Sequence, residues 1–231
     1  MTHYRVAVIQ QKDDYTDLYD LLAPYDENLR VEPYVDRTRA EAIEYCRDVV
    51  QRAQERVSKG AGGEFDQEVI QHVNDEDETL HTWGTEFFEE ECDEDGNWLT
   101  TYNPNSKYDY FSEIDEMSME EWLATGTDES EEALRKEWKE LSTNGDGFWK
   151  PEYYTESYGD ENTFVKMCQL PTGWAVVTPD GTWHEPGRVG WFATDDATPE
   201  TRKDWVNNFY DKFVEPYKNQ DPRIIILDCH I

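Results

Sequence analysis

Trp174-Ala175-Val176-Val177-Thr178, followed by Pro179-Asp180-Gly181 and Thr182-Trp183-His184, decides how this chain is read. Four of the first five residues are β-branched or aromatic, and the five read as an extended run. Pro-Asp-Gly is a strong turn signal, so residues 182–184 begin a returning strand. Thr198-Pro199-Glu200 opens a helix, with Thr198 as N-cap and Pro199 at the first helical position. Trp205, Phe209 and Phe213 recur every fourth residue within it, and Arg223 to Ile231 (RIIILDCHI) is a final strand. On the other side, Tyr4 to Ile9 (YRVAVI) is a strand, and a short helix fits within Asp13–Leu22. Pro24, Asn28 and Pro33 punctuate a loop. Thr38 with Glu41 forms a capping box that opens a helix through Ile43, Cys46, Val50, Ala53 and Val57, stopped at Gly60. The order is β-α-β-β-α-β, which predicts an α+β fold of the ferredoxin-like split βαβ type, an antiparallel sheet backed by two helices. Phe164 to Leu170 also reads as extended, so three segments compete for the two hairpin positions.

The core of that fold is residues 1–60 and 162–231. Residues 61–161 are then a large acidic, partly helical insertion packed on it. This block holds 31 Asp or Glu against 5 Lys or Arg, whereas the other 130 residues hold 22 acids and 16 bases. Within the block, Ser118 with Glu121 predicts a second capping box, and Asp128 to Leu141 a helix with Leu134, Trp138 and Leu141 on one side. Charge this lopsided repels nucleic acid and anionic membranes and attracts basic surfaces. Adaptation to high salt is another source of acidity. Ten Lys among the 21 bases, and the concentration of acids in one block, argue against it.

Low hydrophobic content (37%) and a mean hydropathy of −0.94 would suit disorder. Nine Trp, fourteen Tyr and nine Phe supply a core instead, since each buries a large area. Cys46, Cys92, Cys168 and Cys229 form no C-x-x-C pair, which predicts free thiols in a reducing compartment. The opening residues resemble no signal peptide, and the longest apolar run near the C-terminus is too short to span a bilayer, so a cytoplasmic location is expected.

Several chemistries are excluded by pattern. No Gly-rich phosphate loop follows a strand, and there is no G-x-S-x-G nucleophile elbow. Asp93-Glu94-Asp95-Gly96-Asn97 starts like a calcium loop, but Trp98 and Pro104 stand where that loop needs Gly and Glu, so it reads as a turn. The ferredoxin-like topology gathers His3, His184, Glu185, Asp228 and His230 at one end of the sheet. These are a candidate ligand or metal site, because imidazole and carboxylate together bind transition metals or exchange protons. No cofactor is implied. Clustered aromatics, Trp149 with Tyr153, Tyr154 and Tyr158, and Tyr102 with Tyr108, Tyr110 and Phe111, read as packing or as part of a binding surface.

Thr101-Tyr102-Asn103-Pro104-Asn105-Ser106-Lys107-Tyr108-Asp109-Tyr110 resembles a segment of uncharacterised phage and prophage proteins. Trp174 to Trp183, then His184-Glu185, Gly190-Trp191-Phe192, a strand like Leu227 to Ile231 and an opening like Leu21 to Asn28 carry the same resemblance over nearly the whole chain. In that family the Tyr-Asn-Pro-Asn segment runs into Gly-Gly-Arg-Trp, where this chain has Ser112 to Met117 (SEIDEM). The resemblance implies a phage protein made in the host cytoplasm, where host takeover and counter-defence are common roles.

The leading expectation is therefore a non-enzymatic inhibitor that binds a basic, nucleic-acid-binding surface of a host protein such as a defence nuclease. Its binding residues would be Asp75, Glu76, Asp77, Glu78, Glu86, Glu89, Glu90, Glu91, Asp93, Glu94 and Asp95, together with Asp128, Glu129, Glu131, Glu132, Glu137 and Glu140. No direct nucleic-acid or membrane partner is expected, and the sequence leaves the oligomeric state open. A binder or hydrolase of a small nucleotide signal, using the histidine cluster, is a second expectation. A structural protein without a specific ligand is a third.

Overall fold

The computed structural model describes residues 2–13, 16–73, 76–190 and 194–231. In chain order the elements are β1 (His3–Gln10), α1 (Leu18–Leu22), a 3-10 turn (Ala23–Tyr25), β2 (Arg30–Arg37), α2 (Arg39–Ser58), α3 (Glu64–His72), α4 (Asp77–Phe88), β3 (Glu91–Cys92), β4 (Trp98–Tyr102), β5 (Tyr110–Ser118), α5 (Met119–Leu123), α6 (Glu131–Asn144), α7 (Pro151–Tyr158), α8 (Glu161–Gln169), β6 (Ala175–Val177), β7 (Trp183–His184), α9 (Pro199–Phe213) and β8 (Arg223–His230). The fold is mixed α and β, with two sheets. The chain divides into two compact units, one of residues 30–103 and one of residues 1–29 with 104–231.

The larger unit is built on a five-stranded sheet in the order β5-β8-β1-β6-β7. β1 runs antiparallel to β8, with His3 opposite His230, and parallel to β6, with Val6 opposite Ala175. Its residues alternate between two covered faces. Val6, Val8, Ile225 and Leu227 face one way, against Leu18 and Leu22 of α1 and Trp183. Ala7, Ile9, Ile224 and Ile226 face the other, against Trp122 of α5 and Trp205 and Phe209 of α9. Burial on both sides explains why VAVI and IIIL are unbroken apolar runs rather than alternating ones. α6, α7 and α8 close a satellite core around Leu134, Trp138, Tyr154 and Phe164.

This arrangement corrects the ferredoxin-like expectation. The strand beside β1 is the first of the hairpin, β6, where a split βαβ unit would place the second. α2 belongs to the smaller unit, where it packs with α3 and α4. A fifth strand, β5, comes from within the acidic block and pairs with β8 along its length. Residues 61–161 are therefore no insertion on a finished core: the units divide elsewhere, at 29/30 and 103/104. Phe164 to Leu170, read as extended, lies mostly in α8. Asp160 caps that helix by accepting from the Thr163 N–H at 2.8 Å, and a short apolar run does not by itself distinguish helix from strand. The loop read around Pro33 is the strand β2. It pairs with β4 through an irregular register, the setting in which a strand tolerates proline.

The smaller unit packs α2, α3 and α4 around Cys46, Val50, Val69, Leu80, Trp83 and Trp98, beside the sheet β2-β4-β3. Gly84 lets α4 approach closely. A Cβ there would sit 2.4 Å from the Cys46 Sγ and 3.0 Å from the Trp98 ring. Gly84→Ala gains helix propensity worth about 1 kcal/mol. It also forces two buried groups apart, at about 1–3 kcal/mol. Net destabilisation is expected, read as a lowered urea midpoint with an unchanged slope.

Candidate functional site

In the smaller unit, charge is divided by element. Residues 30–60 carry six acids and seven bases, while residues 61–103 carry fourteen acids and no Lys or Arg. α2 supplies the bases for part of this set. Arg39 pairs with Glu78, Arg47 with Asp77, and Arg56 Nε donates to Asp66 Oδ1 at 2.9 Å. The Arg56 guanidinium and the Gly63 N–H hold Asp66 below the usual carboxylate range. Asp93 serves its own turn: it accepts from the N–H groups of Asp95 (3.0 Å) and Asn97 (2.9 Å) and from Asn97 Nδ2 (2.9 Å). That shapes the β3–β4 hairpin, in agreement with the turn expected there.

Glu86, Glu89, Glu90, Glu91, Glu94 and Asp95 make no ion pair among the described residues. All are exposed except Glu90, whose carboxyl is pushed up by partial burial and by neighbouring Asp36. Glu89 ends α4 in the left-handed conformation (φ 57°), which turns Glu89-Glu90-Glu91 out into β3. Beside them lies a groove of about 370 Å³ lined by Phe88, Leu99 and the exposed Tyr102. Arg30 already places its guanidinium 4.3 Å from the Tyr102 ring centroid. The groove thus combines carboxylates with an aromatic face, the two features that receive Arg and Lys side chains. Glu76 is exposed at the start of α4, and Asp75 lies outside the described residues.

The second predicted acidic set belongs to the larger unit. Asp128, Glu129, Glu131, Glu132, Glu137 and Glu140 are exposed along α6 and the segment before it. Glu131 pairs with Arg135 at 2.6 Å, and Glu140 meets Lys136 at 4.0 Å. By unit, residues 30–103 hold 20 acids and 7 bases, and the remainder 33 and 14. The acidic block is contiguous in sequence but shared between two bodies.

The predicted histidine cluster forms in part. His3 and His230, paired across β1 and β8, have ring centroids 5.0 Å apart, and His3 Nδ1 lies 3.0 Å from Asp228 Oδ2. His230 Nδ1 instead lies 2.6 Å from Asp109, a residue the sequence reading left out, and its ring stacks on Tyr110 at 4.5 Å. Asp228 and His230 form no ligand pair, because each carboxylate is matched to a different ring. His184 and Glu185 are elsewhere. Since β7 is the outer strand of the hairpin, His184 pairs with Val176, which pairs with Ala7, and so lies level with the middle of β1. Glu185 accepts from Lys107 Nζ at 2.6 Å and from Trp183 Nε1 at 2.9 Å. No group of three or more His, Cys, Asp or Glu suited to a metal ion occurs among the described residues.

The thiols follow burial. Cys46 and Cys168 are pushed up to about 11 and Cys229 to about 12, mainly by desolvation, while Cys92 is exposed and raised less. Thiolate is the reactive form. In a native sample at neutral pH, a thiol-exchange reagent should titrate Cys92 first, with the other three released only on unfolding. Mass mapping of the first label on a different cysteine would contradict this.

Among the described residues, no helix is long and apolar enough to cross a membrane. Comparison with protein-family models, curated proteins and solved structures finds no match.

Proposed function

We propose that the protein is an acidic inhibitor, encoded by a phage and acting in the host cytoplasm, that occupies a basic, nucleic-acid-binding surface of a host defence protein. One observation carries the reading. Six carboxylates within residues 86–95 make no internal ion pair, in a stretch of 43 residues without Lys or Arg. Duplex DNA presents about one negative charge per 1.7 Å of axis, and a protein surface dense in carboxylates competes for the same Arg and Lys groups. Exposed Tyr102 and Phe65 add aromatic anchors of the kind that concentrate binding energy. The phage origin rests on the Tyr-Asn-Pro-Asn segment and its companions in the sequence. Of the described residues, Glu86 to Asp95 are the centre of the proposed surface, and α6 is a secondary one.

The nucleotide-signal reading needs His184 and Glu185 beside His3 and His230, and the strand order separates them. The test is capture from host lysate at low and at high salt, with duplex DNA as competitor. A basic protein should be retained, released by salt and by DNA, and lost when Glu86, Glu89, Glu90, Glu91, Glu94 and Asp95 are changed to their amides. Equal retention by that variant would sink the proposal. Retention of nothing would favour a structural role.

A further inference from the structure

A cleft of about 520 Å³ in the larger unit runs between β7 and α9. Trp183, Trp205 and Phe213 contribute its apolar lining, and His184 meets the Phe213 ring at 5.2 Å between centroids. The polar groups fall into two kinds. Its donors are committed: Lys107 and the Trp183 indole N–H both donate to Glu185, and Lys212 donates to Asp204 at 3.3 Å. Its acceptors are not all used.

His184 is the informative one. Its Nε2 lies 3.2 Å from the Thr178 Oγ1. The Thr178 hydroxyl has one proton, and both acceptors in reach, Asp180 Oδ1 at 2.6 Å and the Thr182 carbonyl at 3.3 Å, direct it away from the ring. Thr178 therefore accepts from His184, which puts the imidazole proton on Nε2 and leaves Nδ1 as a bare acceptor. Burial favours the neutral ring, as does Lys212 on α9, and together they outweigh Asp180 from the β6–β7 turn, so the pKa falls below the usual histidine value. Glu200, at the far end of the cleft, makes no ion pair among the described residues. Asp204 stands one turn from it on the same helix face.

From this we infer that the cleft binds an extended alkyl polyamine, with ammonium groups at acceptors along α9 and methylenes on the aromatic lining. Glu200 and Asp204, the α9 carboxylates of the cleft, stand four residues apart, about 6 Å of helix, which suits two successive ammonium groups of a linear triamine or tetraamine. The protein carries a miniature of the complex: Lys212 lays its own alkylammonium back over two helical turns onto Asp204. That pair is half exposed, with side-chain exposures of 52% and 63%, and so is open to exchange. The inference is independent of the acidic surface at Glu86 to Asp95.

The experiment is titration of the full chain with spermidine at physiological salt, followed by the Trp183 indole N–H signal and by calorimetry. One site per chain is expected. Glu200→Gln with Asp204→Asn should weaken binding at least tenfold. Lys212→Met, which removes the internal competitor, should tighten it several-fold. Glu152→Gln with Glu156→Gln on α7 lowers the net charge equally and should change nothing. All these side chains are exposed or half exposed, and near-ultraviolet circular dichroism checks that each variant is folded. Equal affinity across the variants would reduce spermidine to a diffuse counterion and overturn the inference. So would weaker binding in Lys212→Met, or preferential binding of a nucleoside triphosphate at the same indole signal.

Discussion

Asp195→Ala is expected to cost about 3–5 kcal/mol of stability, because it strands a buried charge. Arg202 is 2% exposed. Its Nη2 donates to both Asp195 oxygens, at 2.6 and 2.7 Å, and its Nη1 to the carbonyls of Ser157 and Ala197, each at 2.8 Å. The guanidinium lies 5.0 Å from the Tyr158 ring centroid and 5.6 Å from that of Trp174. It therefore joins the end of α7, the segment before α9, and α9 itself. Removing the carboxylate leaves the buried cation among rings and carbonyls with no counter-charge. The loss is a large fraction of the roughly 5–15 kcal/mol that holds a typical domain together. Asp195→Asn keeps the shape and one acceptor and should lie between wild type and Ala. Urea unfolding measures both. A midpoint for Asp195→Ala close to wild type would show that the pair contributes little.

Trp122→Ala should cost about as much, 3–5 kcal/mol, by the different route of an emptied core. Trp122 is fully buried, its ring 5.8 Å from Phe209, and its indole N–H donates to the Thr172 carbonyl at 2.8 Å. Alanine removes both the packing and the donor. Trp122→Phe restores most of the volume without the hydrogen bond, so about half the loss should return. The result bears on the architecture as well. Trp122 falls inside the acidic block, and a cost of this size is what a central core residue shows. A residue of a peripheral insertion would cost far less.

Local features were the legible ones. The capping boxes at Thr38 and Ser118 and the N-cap at Thr198 each need only four consecutive residues, and each predicted cap forms. The Pro179-Asp180-Gly181 turn is equally local, with Gly181 at φ 80°. What failed was long-range. β6 and β7 were both read, but which of them lies next to β1 depends on packing that no window of sequence contains. β5 was missed because seven of its nine residues are exposed, so it shows no apolar alternation. Missing β5 hid the partner of His230, since Asp109 is brought there by the register that sets Tyr110 opposite His230. The acidic block misled for a related reason. Neighbours in sequence share a composition, while units in space are defined by burial, and Asn103 is a buried residue in the middle of the block at which one unit ends.

The position of β8 has a consequence for biosynthesis. It stands between β5 and β1, so the sheet lacks an interior strand until residues 223–230 have left the ribosome. Until then β1 and β5 each present an unpaired edge rich in backbone donors and acceptors. Closing the sheet joins segments more than 200 residues apart, a slow step for any chain. The nascent protein passes through synthesis half-assembled, and its dense like charge is then a safeguard, holding unfinished copies apart until the missing strand arrives.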